Sequence, residues 1–300
     1  MDGRSLATDG PNTLIRWEGP MPVPRESDEF DEISSVYDAT REPLEATAVQ
    51  AIASVLRTWE VRRLVEVGVG TGRVAAPLAA KGFEVTGVDA SRGMLARARE
   101  KGIPRLVLAS AYHLPFDAGA LDAALFVHVL HILGEPAAAI NEGCRVGRLG
   151  AVALVRPPTA GPEDPDRDLR PRRIVMDLLR QDGVVLPERA DGGPPRAEHL
   201  VLAAYPPDRL VTISEEDVTE PLVQELSLFE RRASRWTLRV PPEKLARAVA
   251  MARAQVGDRT HTYHRVYALA LWERPPRAAR ETFGSVPDGG RSDGATIPQG

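Results

Sequence analysis

The 300-residue chain holds a single cysteine, Cys144. A lone thiol excludes an intrachain disulfide and every multi-cysteine zinc motif. It fits a reducing compartment, so the cytoplasm is the expected location. Long apolar runs are also missing. None approaches the roughly 18 residues needed to cross a bilayer, and residues 1 to 25 are polar and rich in Pro and Gly, without the apolar stretch of a secretory signal. Basic tracts are absent too. The formal net charge of −4 is spread along the chain, which argues against nucleic acid as the expected partner. His261 and His264 have no carboxylate or thiol beside them at ligand spacing in the sequence, so no metal is expected.

What the chain does have is a core. With 43% hydrophobic residues, it can build one large α/β domain or two ordinary ones. Leu44, Ala48, Ile52, Val55 and Trp59 repeat at helical spacing over 42–59. Strands are expected at 63–67, 83–88, 105–109, 121–127 and 150–155, separated by segments with helix signals: Ser91 as an N-cap ahead of Met94, and Pro136 at a first helical position. Strands alternating with helices predict a parallel sheet.

After residue 156 the rhythm breaks. "RPPTAGPEDPDRDLRP" reads as a linker. "RRIVMDLLRQDG" reads as a short amphipathic helix whose stripe of Ile174, Val175, Leu178 and Leu179 is too small to be stable alone, so it is expected to dock only over a filled ligand site. Residues 200–273 read as strand, strand, helix, strand. Within them, "FERRASRWTLRV" alternates, placing Trp236 and Leu238 opposite Arg235 and Arg239 on a solvated strand. Four segments result: 1–34, largely disordered; 35–156, the alternating core; 157–274, a lid insertion and the final strands; and 275–300, a disordered tail poor in apolar residues.

Chemistry first shows in "RLVEVGVGTGRVAAPLAAKGFEVTGVDAS" (63–91). Gly68, Gly70 and Gly72 follow a strand directly, at the carboxyl end where open α/β sheets bind ligands. Lacking Cβ atoms, they let the backbone approach a nucleoside-like group. Asp89 ends the next strand, where a carboxylate can accept hydrogen bonds from both ribose hydroxyls. The dinucleotide pattern G-x-G-x-x-G needs a third glycine where this chain has Arg73. Glu66 beside the loop is a poor neighbour for a pyrophosphate and a good one for a cation.

"VEVGVGTGR", "VDAS", "LPF", "LDAALFVHVLHIL" and "NEGCRVGRLGAVALV" together resemble the successive motifs of class I S-adenosylmethionine-dependent methyltransferases, of the small-molecule type similar to ubiquinone-biosynthesis methyltransferases. The resemblance covers 35–156 closely and 200–273 loosely. It implies an α/β fold with a doubly wound, mostly parallel seven-stranded sheet, a lid insertion, and a final strand, 265–272, inserted antiparallel. It implies S-adenosyl-L-methionine as cofactor, with Glu66, Gly68 and Gly70 under the methionine moiety and Asp89 on the ribose. Ala90 and Met94 would pack around the adenosine, Ala111 would contact the adenine edge, and Val127 would begin the segment flanking the sulfonium. Tyr37 and Arg41, in "VYDATRE", match an element that closes over the cofactor carboxylate, or else belong to an ordinary helix surface. Ser110 stands where the family usually places an Asp against the adenine amine; its hydroxyl can accept the same bond without a charge.

Methyl transfer from a sulfonium asks mainly for alignment, because the thioether leaves unprotonated. A hydroxyl or carbon acid still needs a base, and histidine titrates in the right range. His128 follows the strand ending near Phe126 and is the candidate catalytic residue; His131 is read as structural and His113 as loop packing. The expected function is methyl transfer to a small, partly apolar molecule by a monomer or homodimer. The alternatives are a tRNA-modifying methyltransferase and a non-catalytic S-adenosylmethionine-binding module.

Overall fold

The computed structural model describes residues 14–16, 26–35, 37–38, 46–157, 170–186, 197–232 and 235–274. Arg41, the linker after 157 and the tail after 274 lie outside them. The strands are β1 (Leu14–Arg16), β2 (Arg63–Val67), β3 (Glu84–Asp89), β4 (Arg105–Leu108), β5 (Leu121–Val127), β6 (Gly147–Val155), β7 (Arg209–Pro221) and β8 (Thr260–Glu273). The helices are α1 (Glu26–Ile33), α2 (Ala46–Thr58), α3 (Ala75–Ala80), α4 (Arg92–Glu100), α5 (Pro136–Val146), α6 (Pro171–Gln181), α7 (Ala197–Ala204), α8 (Leu222–Glu230), α9 (Arg235–Leu238) and α10 (Pro242–Val256).

One sheet runs β1-β4-β3-β2-β5-β6-β8-β7. β1 to β6 are parallel; β8 is antiparallel to both β6 and β7. The expected seven-stranded methyltransferase sheet is therefore present, with β1 added as an edge strand. The chain leaves β2 in one direction, to β3 and β4, and returns on the other side through β5 and β6. This places the switch point between β2 and β5, where doubly wound sheets open a crevice.

The strand signals read correctly because both faces of the sheet are covered, so β2, β5 and β6 are runs of apolar residues. One face packs Ile52, Leu56, Leu78 and Leu95 against Leu64, Leu125 and Leu269. The other packs Ile140 and Val146 against Val65, Phe126 and Ala270. Ser91 caps α4 as expected, its hydroxyl accepting the Met94 N–H at 3.0 Å.

Three expectations change. Residues 26–33, inside the segment expected to lack structure, form α1, because Ile33 buries its side chain and Asp31 finds hydrogen-bond donors at the start of α4. "FERRASRWTLRV" is not a strand: Leu222, Leu226 and Phe229 repeat at helical spacing and are buried, so α8 forms, and Arg235–Leu238 form α9. Finally, α6 does not wait for a ligand to find a partner. Its Val175 and Leu179 already pack with Leu226 and Phe229 of α8 and Leu245 and Val249 of α10 as a separate small core. That helical unit sits beside the long β7–β8 hairpin, whose pairing runs on past the end of β6.

Candidate functional site

A cavity of about 420 Å³ lies at the carboxyl ends of β2, β3 and β5. It brings together Tyr37, Glu66, Gly68, Gly70, Asp89 and Ala90 with Met94, Ser110, Ala111, Val127 and His128, which is every predicted site residue that falls within the described part of the chain.

The three glycines hold their places for different reasons. All have positive φ: Gly68 +72°, Gly70 +54° and Gly72 +79°. A Cβ on Gly68 would lie 2.5 Å from Val129 Cγ2, and one on Gly72 would lie 2.3 Å from Ile103 Cδ1. Protein packing fixes those two. A Cβ on Gly70 would meet nothing within 4 Å, so only there does the bare backbone leave room for a ligand. Asp89 Oδ2 accepts the Gly70 N–H at 2.8 Å and Oδ1 accepts the Ser91 N–H at 2.9 Å. Asp89 therefore shapes the loop as well as facing the cavity. Burial raises its pKa, and the backbone donors oppose that rise.

Glu66 is 2% exposed, and its Oε2 has no hydrogen-bond partner among the described residues. Burial pushes its carboxyl up to about 8, with the Ala75 backbone opposing the rise and the nearby Asp89 charge adding to it. Between the unfolded value of 4.5 and about 8 the folded protein holds a proton that the unfolded chain has released, so stability falls as pH rises through that window. Glu66→Gln is expected to flatten the pH dependence of Tm between about pH 5 and pH 8. Differential scanning calorimetry checks this; equal slopes for the two proteins would show that Glu66 titrates normally.

His128 takes φ +53°, the left-handed region that is uncommon for a side-chain-bearing residue. It is exposed and sits directly after Val127, at the end of β5. His131 and His113 are also exposed. Ser110 is 4% exposed, and its hydroxyl accepts the Tyr112 N–H at 3.3 Å, tightening the loop against the cavity. His264 does have carboxylates after all, supplied across the hairpin by Asp217 at 2.9 Å and Glu215 at 3.1 Å, and they raise its pKa. Among the described residues, no group of His, Cys, Asp and Glu side chains could hold a metal ion, and no helix is long and apolar enough to cross a membrane.

Sequence reasoning missed part of the wall. Phe30, Thr71, Arg73, Tyr112 and Leu133 also line the cavity. Phe30 was hidden because its helix precedes the α/β pattern. Tyr112 and Leu133 come from loops whose convergence no local spacing reports.

A glycine loop after a parallel strand, an acid ending the next strand and a crevice at the switch point define a Rossmann-like domain built to bind a nucleoside-bearing cofactor. The profile of the methyltransferase-domain family matches residues 65–155. Over 138 residues the chain is 34% identical to demethylmenaquinone methyltransferase of Clavibacter sepedonicus, covering 42% of this chain and 55% of the relative. Over 100 residues it is 35% identical to phosphatidylethanolamine N-methyltransferase of Cereibacter sphaeroides, covering 31% of this chain and 49% of the relative. The chain spans about half the length of the curated relatives it matches. A solved structure, a putative methyltransferase from an antibiotic biosynthesis pathway of Anabaena variabilis ATCC 29413, superposes with a TM-score of 0.51 at 16% identity, covering 77% of this chain and 98% of that one, and shares the fold.

The cavity suits S-adenosylmethionine, the cofactor that the resemblance to methyltransferases implies. Glu66 Oε2 is a buried acceptor without a donor, Gly70 leaves open space above the loop, and Met94 and Ala109 offer apolar surface. An unmatched acid beside an apolar slot is the complement of a cation attached to a flat, largely apolar base.

Proposed function

We propose that this chain transfers a methyl group from S-adenosylmethionine to a small, partly apolar acceptor, with His128 as the general base when the acceptor carries a proton. The observation that carries this reading is the placement of Glu66, Asp89 and His128 around one cavity. Buried Glu66 and half-buried Asp89 line it, and the exposed imidazole of His128 stands at its rim. Two of the matched relatives are named for demethylmenaquinone and phosphatidylethanolamine, which supports a small molecule as acceptor.

In this reading Asp89 and the Gly70 turn hold the ribose, and Glu66 with Gly68 faces the methionine end. Ala90, Met94, Ser110 and Ala111 enclose the adenosine, with Tyr37 and Val127 completing the lining. Bound there, the cofactor supplies an electrophilic methyl carbon whose bond to sulfur breaks, leaving its electron pair on sulfur, as the acceptor's lone pair forms the new bond. His128 takes the acceptor proton and releases it to solvent, to which it is open. The left-handed backbone at His128 turns the chain off β5 and places the imidazole at the cavity rim.

The test is methyl transfer from labelled S-adenosylmethionine to a panel of hydroxyl, carbon-acid and amine acceptors together with bulk tRNA. Labelled small-molecule product is the expected result. His128→Ala should lower kcat by about a hundredfold or more for acceptors that must lose a proton, with cofactor affinity unchanged. Label in tRNA alone, or cofactor binding with no product from any acceptor, would overturn the reading.

A further inference from the structure

The stretch "EFDEISSVYDAT" contains two aromatic–acid pairs, Phe30–Asp31 and Tyr37–Asp38. In both, the aromatic residue lines the cofactor cavity, and the acid bonds to a segment that builds the cavity wall. Asp31 Oδ1 accepts the Ser91 hydroxyl at 2.5 Å and the Gly93 N–H at 2.7 Å. These donors stand at the N-terminus of α4, two and four residues beyond Asp89, where unsatisfied N–H groups and the helix dipole favour a carboxylate. Asp38 Oδ1 accepts the hydroxyl of Thr71, the residue after Gly70, at 2.5 Å, and Asp38 Oδ2 pairs with Lys101 Nζ at 2.5 Å. Lys101 also donates to Thr71 Oγ1 at 3.2 Å, closing a triangle at the far end of α4.

We infer that Asp31 and Asp38 are positioning residues of the cofactor site: together they strap residues 30–35 and 37–38 across the cavity, holding Phe30 and Tyr37 against the bound cofactor and limiting its release. The inference rests on the cavity being the S-adenosylmethionine site. Gly93 supplies independent support. Its φ is not positive, so no turn requires glycine there; instead a Cβ would meet Ser34 Oγ at 2.6 Å, Ser34 Cβ at 3.0 Å and the Asp31 main chain at 3.2 Å. A glycine inside a helix disfavours that helix. Here it lets the strap lie directly on α4. The strap adds no buried strand to the sheet and reaches the core mainly through Ile33, so its bonds act chiefly on what lies beneath it. Cofactor exchange then requires the strap to lift, which separates the two acids from α4 and from the glycine loop. Because the Lys101–Asp38 pair is partly exposed, salt should weaken this hold.

The experiment is stopped-flow displacement of S-adenosylhomocysteine from the full chain and from Asp31→Asn, Asp38→Asn, the double variant and Gly93→Ala. The double variant is expected to release ligand at least tenfold faster, with association no slower. Salt should accelerate release from the wild type and have little effect on Asp38→Asn. Gly93→Ala removes no hydrogen-bonding group and improves helix propensity, yet should reproduce the fast release by pushing Ser34 and Asp31 away. Folded variants, checked by near-UV circular dichroism, that release ligand at the wild-type rate would overturn the inference; so would Gly93→Ala behaving as wild type if the Asn variants do not fold. A wild-type protein that binds no adenosyl ligand would instead overturn the cofactor reading. In that case hydrogen exchange over 26–38 still decides the strap's attachment: the bonds predict faster exchange in the double variant, and equal exchange would refute them.

Discussion

Asp89→Ala is expected to weaken S-adenosylmethionine binding about a hundredfold or more while leaving the protein folded. The sequence motivates only the ribose contacts, in which two charge-assisted bonds contribute about 1.5 kcal/mol or more each, or about a hundredfold together. The structure adds a second loss. Asp89 also accepts the Gly70 and Ser91 N–H groups, so alanine releases the one turn of the glycine loop whose backbone borders open cavity. Asp89→Asn separates the two contributions. It keeps the side chain's volume and one acceptor but turns an amide donor toward a backbone donor, so it should bind more weakly than wild type and more tightly than alanine. Isothermal titration calorimetry gives the affinities, and wild-type affinity in a folded Asp89→Ala would remove Asp89 from the cofactor site.

The largest loss of stability is expected from Gly150→Ala, far from any ligand. Gly150 has φ +124°, and a Cβ there would lie 1.9 Å from the Trp272 carbonyl oxygen and 3.0 Å from its carbon. Those are main-chain atoms of β8, held in register with β6 by pairings that run from Gly150–Glu273 to Val155–Ala268. No side chain can swing aside, so the antiparallel closure of the sheet must shift, with backbone strain added. We expect a loss of about 3 kcal/mol or more. Gly82→Ala is the control. Its φ is +93° with nothing within 4 Å of the added atom, so it should lose only the conformational term, about 1 to 2 kcal/mol. Urea unfolding of both variants checks the contrast; equal losses would mean that β6 and β8 adapt to the extra atom.

Several features were legible because they are local. β2 and its glycine loop, Asp89 at the end of β3, the Ser91 cap and the helix beginning at Pro136 each depend on residues within a few positions of one another, where periodicity, capping and turn chemistry act directly. The order of motifs along 65–155 is likewise a property of the chain, which is why the resemblance to methyltransferases could be drawn from it. The antiparallel insertion of β8 came from that resemblance.

Tertiary structure decided the rest. "FERRASRWTLRV" satisfies a two-residue alternation, but its Phe229 also completes a helical repeat begun at Leu222 and Leu226, and the repeat prevailed because Leu226 and Phe229 found α6 and α10 to pack against. The same packing gave α6 a partner of its own. Residues 26–34 read as largely disordered, and Asp38 showed no role, because the donors that satisfy Asp31 and Asp38 lie 60 and 33 residues away, at Ser91 and Thr71. Gly68, Gly70 and Gly72 look equivalent in the sequence, yet Val129 and Ile103 crowd the first and third while the second faces open cavity. Hydrophobic period and capping are set by neighbours along the chain, so the sequence by itself determined the parallel sheet and its loop. Which acid is satisfied, which glycine faces a ligand and which helix has a partner depend on groups brought together only by folding, because the free energy of burying or bonding a side chain is fixed by what surrounds it in space.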